Sequence, residues 1–265
     1  MIRALLLIAF LCVPAPFAAW AAPAACAAHF AGGRAPAVDW KHAAGSRLLC
    51  FHGFAVQYSG LTKTPLWSAE HLTPARIRAA AALPREGRFH AESRLPAGDR
   101  ATLADYRNSG FDRGHMAPAG DMPDRRSQQD SFSLANVVPQ APCNNTMIWE
   151  QIESAVRDHV AAGHDLHVVT GPIFQGASLD MIGGGVAVPT GIFKAIYDRK
   201  NGEAGVYVTR NTNGATDFQP LSLAALAELT GIDPFPAAPA AVRQRAMSLP
   251  PLPPARYGCR PRPAG

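Results

Sequence analysis

Phe111-Asp112-Arg113-Gly114-His115-Met116 sets an acid, a guanidinium, a glycine and an imidazole in consecutive positions. Arginine can fork two hydrogen bonds onto a phosphate, glycine lets a ligand approach the backbone, and imidazole has the proton affinity of a general base near neutral pH. Taken alone, the run is equally a polar turn holding an Asp–Arg pair. Ala104-Asp105-Tyr106 and Ser109-Gly110 lead into it, so the motif is expected on a short strand from whose edge His115 projects.

Downstream, residues 117–129 are rich in Pro, Gly and charge and are expected as loop, with Arg125 and Arg126 solvated. Residues 132–140 form a short apolar stretch in which Asn136 and Gln140 look positioned. The clearest helix starts at Asn144 or Asn145 and runs to Ala162, with Gly163 as its stop. Ile148, Ile152, Val156 and Val160 recur at helical spacing as a core stripe, and Asn145, Trp149, Glu153 and Arg157 make a second stripe beside it. The plain reading of Glu153 and Arg157 is a surface ion pair worth roughly 0.2–0.5 kcal/mol. On one continuous helix Asn145 and Glu153 stand roughly 12 Å apart at ~1.5 Å per residue. They would then share an ion only if Asn145 bound it directly and Glu153 held one of its waters, as the slow dehydration of Mg²⁺ favours.

Strand signals surround this core. Residues 48–58 and 65–70 read as two strands, 73–82 as a short helix or irregular segment, and 165–174 as a buried strand. Asn201-Gly202 joins 191–198 to 205–209 as a hairpin, and Ser222 and Gly231 bracket a short helix. His52 and His71 are expected to be structural. His159, His164 and His167 sit close in sequence, but they cross a helix-to-strand boundary and match no ligand spacing, so no metal is expected there. Prolines crowd the tail, about 233–265, which is expected to be wrapped or irregular and pinned by Cys259.

The termini and composition bound the class. Met1-Ile2-Arg3, an apolar run to about residue 19 and small residues beyond it read as a signal peptide over 1–22, cleaved between Ala21 and Ala25. A membrane anchor is the alternative, but the run is shorter than the ~20 residues of a bilayer span. Cleavage removes Cys12 and leaves Cys26, Cys50, Cys143 and Cys259 for an oxidising compartment, hence two disulfides. Three pairings are open, and sequence neighbours (Cys26 with Cys50, Cys143 with Cys259) are the first choice. At 48% hydrophobic and 17% charged residues the chain is globular, and 23–265 reads as one domain. The net charge of +5, less that of Arg3, leaves about +4, which permits a polyanionic partner without requiring one.

Asp112-Arg113-Gly114-His115, Asn136-Val137-Val138-Pro139-Gln140 and then Asn145, Trp149 and Glu153, in that order, resemble the DNA/RNA non-specific endonucleases of the ββα-metal, or His-Me finger, class. The likeness extends more loosely from the Tyr58 region through Trp67-Ser68-Ala69-Glu70 and Lys194 to Phe235. It implies an α+β fold, a mixed, mainly antiparallel central sheet flanked by helices and carrying a ββα-metal site. It implies a catalytic set of His115 as general base with Arg113 and Glu153. Asn145 is the implied metal ligand, with Glu153 acting through a water, and Asn136, Arg157 and Arg113 are the implied substrate contacts. For a further family arginine upstream, Arg88 is the counterpart offered. Mg²⁺ is the implied cofactor, with Mn²⁺ as substitute. DNA and RNA are the implied substrates, cut to leave 5′-phosphate ends by a secreted or periplasmic enzyme with no stable membrane association once its leader is removed. A catalytically degenerate nucleic-acid-binding protein of the same fold is the alternative. Another type of secreted hydrolase is disfavoured, because G-x-S-x-G and H-E-x-x-H are absent.

Overall fold

The computed structural model describes residues 24–259. The expected leader over 1–22, with Cys12, and the last residues of the tail lie outside the described residues. The chain opens with β1 (Ala37–Val38) and α1 (Trp40–Ala43), then a meander of β2 (Ser46–Cys50), β3 (Ala55–Ser59) and β4 (Thr64–Leu72). The single strand expected over 48–58 is therefore a hairpin. It folds back because the Phe51 N–H donates to the Phe54 carbonyl at 2.9 Å and the two rings stack at 4.6 Å.

Next come α2 (Pro74–Ala81), α3 (Leu103–Tyr106), β5 (Asp112–His115), α4 (Arg125–Ser131), β6 (Val137–Gln140), α5 (Pro142–Thr146) and α6 (Ile148–Ala161). Thr73 starts α2 by accepting from the Arg76 N–H, with Pro74 in the first turn where its missing donor costs nothing. The expected loop over 117–129 holds the start of α4. Asp124 caps it, accepting from the Ser127 N–H at 2.8 Å, an Asp-x-x-Ser start that composition alone hides. The last third contains β7 (Leu166–Ile173), β8 (Met181–Ile182), β9 (Val186–Ala187), β10 (Gly191–Asp198), β11 (Glu203–Arg210), β12 (Gln219–Leu221), α7 (Leu223–Thr230), β13 (Ile232–Asp233) and α8 (Ala240–Gln244). Ser222 caps α7 and Gly231 ends it at φ 70°, in agreement with the sequence.

The centre is a seven-stranded sheet in the order β12-β11-β10-β7-β4-β3-β2, antiparallel throughout. Side chains alternate across it. Trp67, Phe193, Tyr197 and Val206 pack with α7 and Phe235 on one face, and Leu72, Val168, Ile192 and Ile196 pack under Ile148, Ile152, Val156 and Val160 of α6 on the other. The same alternation turns Ser68, Glu70, Thr170 and Lys194 toward α6, so polar groups cross three adjacent strands beneath that helix.

Both disulfides join sequence neighbours, Cys26 to Cys50 and Cys143 to Cys259. The proline-rich tail is wrapped along the α6 side of the sheet. The Met247 N–H donates to the Ala204 carbonyl, Tyr207 Oη to the Pro250 carbonyl and Gln151 Nε2 to the Pro253 carbonyl, each at 2.7 Å. Among the described residues no helix is long and apolar enough to cross a membrane.

Candidate active site

β5 and β6 form a two-stranded ribbon that pairs Asp112 with Gln140, Gly114 with Val138 and His115 with Val137, and α5 follows directly. Gly114 has a steric reason to be glycine. A Cβ on it would lie 1.9 Å from Gln140 Oε1, so the space expected for a ligand is filled by the neighbouring strand. Gln140 Nε2 donates to Asn144 Oδ1 at 2.7 Å, and Asn144 Nδ2 donates to Thr209 Oγ1 and the Arg210 carbonyl. That chain of amides anchors the ribbon to the edge of α5 and to β11.

The long helix expected from Asn144 or Asn145 is two helices. Met147, at φ −114° and ψ −93°, breaks it after α5. Asn145 therefore stands outside the stripe of Trp149, Glu153 and Arg157, and the separation calculated along one axis does not apply. Its Nδ2 donates to Asp112 Oδ2 at 3.0 Å. With the nitrogen donating to an acid, the Oδ1 is left as the amide's acceptor atom. Asp112 is thus a positioning residue for Asn145.

His115 is 8% exposed, set between Phe89 and Phe132 with ring centroids 5.1 and 5.0 Å away. Burial, and next the positive charges of Arg85 and Arg113, push its pKa down to about 3. It is neutral at physiological pH, and its buried Nε2 has no hydrogen-bond partner. The Arg113 guanidinium lies over the Phe89 ring at 4.5 Å. Upstream, the charge of Arg85 reaches both His115 and Glu153.

Glu153 is also enclosed, 14% exposed, and burial drives its pKa up to about 7 against the pull of Lys194 and Arg157. It is no surface carboxylate. Arg157 lies 3.9 Å from Glu153 Oε2 but donates to Asp121 Oδ1 at 3.1 Å and Ser154 Oγ at 3.0 Å. Its guanidinium is thus held among the carboxylates of Asp121, Glu150 and Glu153. Asn136 lies just behind the ribbon. It is fully buried, accepts from Ser68 Oγ and the Ala117 N–H, and donates to the Ala117 and Ser131 carbonyls. Its four bonds fix the backbone just past His115 and tie it to Ser68 and Ser131.

The sequence reading missed a layer of charge beneath these groups. Glu70 and Arg76 form a buried ion pair at 3.0 Å, and Arg76 also donates to the Gly53, His71 and Asp121 carbonyls. Burial and the neighbouring Asp121 raise the Glu70 pKa to about 8, while Arg76 and Lys194 act in the opposite sense. Lys194, in the middle of an apolar strand, donates to Thr170 Oγ1 at 2.8 Å and lies 5.4 Å from the Trp149 ring centroid. A lysine inside Ile192-Phe193-Lys194-Ala195-Ile196 was the available signal, since burying a cation demands partners.

The family model described as DNA/RNA non-specific endonuclease matches residues 33–241. The mitochondrial nuclease EXOG of Homo sapiens is 31% identical over 215 residues, covering 72% of this chain and 58% of that protein. The same-named protein of Xenopus laevis is 32% identical over 203 residues, covering 69% and 56%. The chain thus spans less than two thirds of the length of these relatives. Among solved structures, that of the EndoG/EndoGI complex aligns with a TM-score of 0.64 and 26% identity over 70% of this chain and 84% of that one.

Proposed function

This chain belongs to the DNA/RNA non-specific endonuclease family, and we propose that it is a divalent-metal-dependent, sugar-non-specific endonuclease that hydrolyses phosphodiester bonds in DNA and RNA. The observation that carries the reading is His115 itself, an imidazole held neutral by burial and flanked by the charges of Arg85 and Arg113. The imidazole takes a proton from water as the oxygen attacks phosphorus in line. A phosphate arriving beside the two arginines offsets the charges that depress the imidazole, so substrate binding itself raises the base's proton affinity. Arg113 and Arg85 offset the charge that grows on the phosphoryl oxygens. Departure of the 3′ oxygen leaves 5′-phosphate ends. None of these contacts requires a 2′-hydroxyl or a base edge, which supports activity on both nucleic acids with little sequence preference.

The donor set suits a hard dication. Asn145 offers an amide oxygen whose nitrogen is committed to Asp112, and Glu153 offers a carboxylate. Asn145 would hold Mg²⁺, or Mn²⁺ in its place, with Glu153 acting through a water; the ion, when bound, supplies positive charge to the reacting phosphate. The leader-like start and two disulfides support a secreted or periplasmic location. The relatives above are mitochondrial by name, so fractionation of the expressing cell is the test of address.

For the activity, the mature protein is incubated with plasmid and with RNA, in Mg²⁺ and in EDTA. Cleavage of both in Mg²⁺ only, with ends that accept ligation without prior phosphorylation, is expected. Undiminished cleavage in EDTA or by His115→Ala overturns the scheme. A gel shift with no cleavage in either metal would mark a binding protein instead.

A further inference from the structure

Two histidines and an aspartate meet at the far end of α6. His159 lies in the last turn, His164 follows the reversal at Gly163 (φ 111°), and Asp198 ends β10. The two imidazoles stack with centroids 3.6 Å apart and planes 16° from parallel. His164 Nδ1 lies 2.7 Å from Asp198 Oδ2, and one ligand atom from each of the three residues falls within 4.8 Å of the others. Asp198 is fixed from behind, accepting the Asn201 N–H on Oδ1 at 3.0 Å and the Asn201 side-chain amide on Oδ2 at 2.8 Å. Glu203 is the register partner of Asp198 on β11, and its negative charge also reaches His159.

We propose that His159, His164 and Asp198 bind one transition-metal dication of the zinc class, apart from the nuclease site and independent of it. Two imidazole nitrogens and a carboxylate oxygen are the donors such ions select, whereas Mg²⁺ prefers oxygen alone. Tetrahedral bonds of about 2.0–2.1 Å put ligand atoms roughly 3.3 Å apart. The cluster reaches that spacing by small rotations of two part-exposed rings, with the ion taking the place of the direct His164–Asp198 contact. Neutral imidazole is the form that ligates. His159 Nε2 is also buried without a hydrogen-bond partner, so the ring has bonding capacity that the protein leaves unmet. The ion would staple the exit of α6 to the end of β10. The helix-to-strand boundary that argues against a metal among His159, His164 and His167 in sequence is bridged by Asp198, which the sheet brings to the first two. His167 instead stacks on His71 with centroids 4.3 Å apart.

The test is titration of the full mature chain with Zn²⁺ alone, followed by calorimetry and thermal melting. One ion per chain is expected to bind and raise the melting midpoint, and to do so equally in an Asn145→Ala variant. Removing a direct ligand, in His159→Gln or His164→Gln, should weaken binding by more than the roughly 10–100-fold that outer partners typically contribute. Cleavage of plasmid in Mg²⁺ should not change in either variant. Co²⁺ added to the unaltered chain should shift the imidazole resonances of two histidines in NMR, a reading that needs no substitution. Absence of Zn²⁺ binding, binding unchanged in both glutamine variants, or no imidazole shifts with Co²⁺ would overturn the proposal.

Discussion

β10 runs beneath α6 and meets its two ends with opposite charge. Near the ribbon it presents Lys194 under Trp149 and Glu153, and near the helix exit it presents Asp198 under His159 and His164. Both positions lie on the same face of one strand, four residues apart, yet one end is a closed nest of carboxylates held by cations and the other a part-open pair of imidazoles beside a carboxylate. The difference teaches that the helix sequence does not set the chemistry of its own side chains. The strand beneath supplies the sign, and depth decides how much that sign is worth.

The sharpest way to break the comparison is His115→Ala, which should lower plasmid cleavage by about 10²–10⁴-fold, the range of a lost general base. Equal loss in His164→Gln would erase the distinction between the two ends. Arg76→Met strips Glu70 and the Gly53, His71 and Asp121 carbonyls of their buried donor and should cost about 1–3 kcal/mol in urea unfolding. Asp112→Ala frees the Asn145 amide to turn; the Mg²⁺ needed for half-maximal cleavage should rise about 10–100-fold, and Asp112→Asn, which keeps an acceptor, should restore part of the loss.

Acid should separate the ends through stability. His115 protonates near 6.5 when unfolded but near about 3 when folded, so between those values the folded state holds fewer protons. Stability is therefore lost as pH falls through that window, by about 2 kcal/mol at pH 5 from this residue, and His115→Phe should remove that part of the decline in urea midpoint between pH 7 and 5. The smallest effect belongs to the exit. His164→Gln, without added Zn²⁺, should change stability by no more than about 1 kcal/mol, because its pair with Asp198 is half in solvent.

Elements written by local rules were legible in the sequence. The core stripe of α6, the Asn201-Gly202 hairpin, the Ser222 and Gly231 boundaries and the strand carrying His115 follow from periodicity, turn chemistry and capping. The split of 48–58 into two strands has a single mark in the sequence, His52-Gly53, which the apolar and aromatic residues on both sides outweigh. The break at Met147 was hidden, because no proline or glycine marks it. Asn136 was legible as a positioned residue, but not its bond to Ser68, which arrives from a distant strand. Glu70, Asp121 and Lys194 become neighbours only once β4 and β10 flank β7 and α6 covers them. Motif spacing identifies groups that act within a few turns of chain, and it is blind to charge brought in by sheet order.

The bond between Cys143 and Cys259 spans 116 residues and ends in the tail that lies along α6. In terms of synthesis, everything the site needs from the ribbon, α5 and α6 leaves the ribosome before the cysteine that fastens α5. At roughly 5–20 residues per second that interval is on the order of ten seconds. Throughout it, Gln151 and Tyr207 lack the carbonyls of Pro253 and Pro250. Assembly of the segment bearing Asn145 is therefore completed from the chain's far end, after synthesis has passed every motif and under whatever redox conditions that late stage meets.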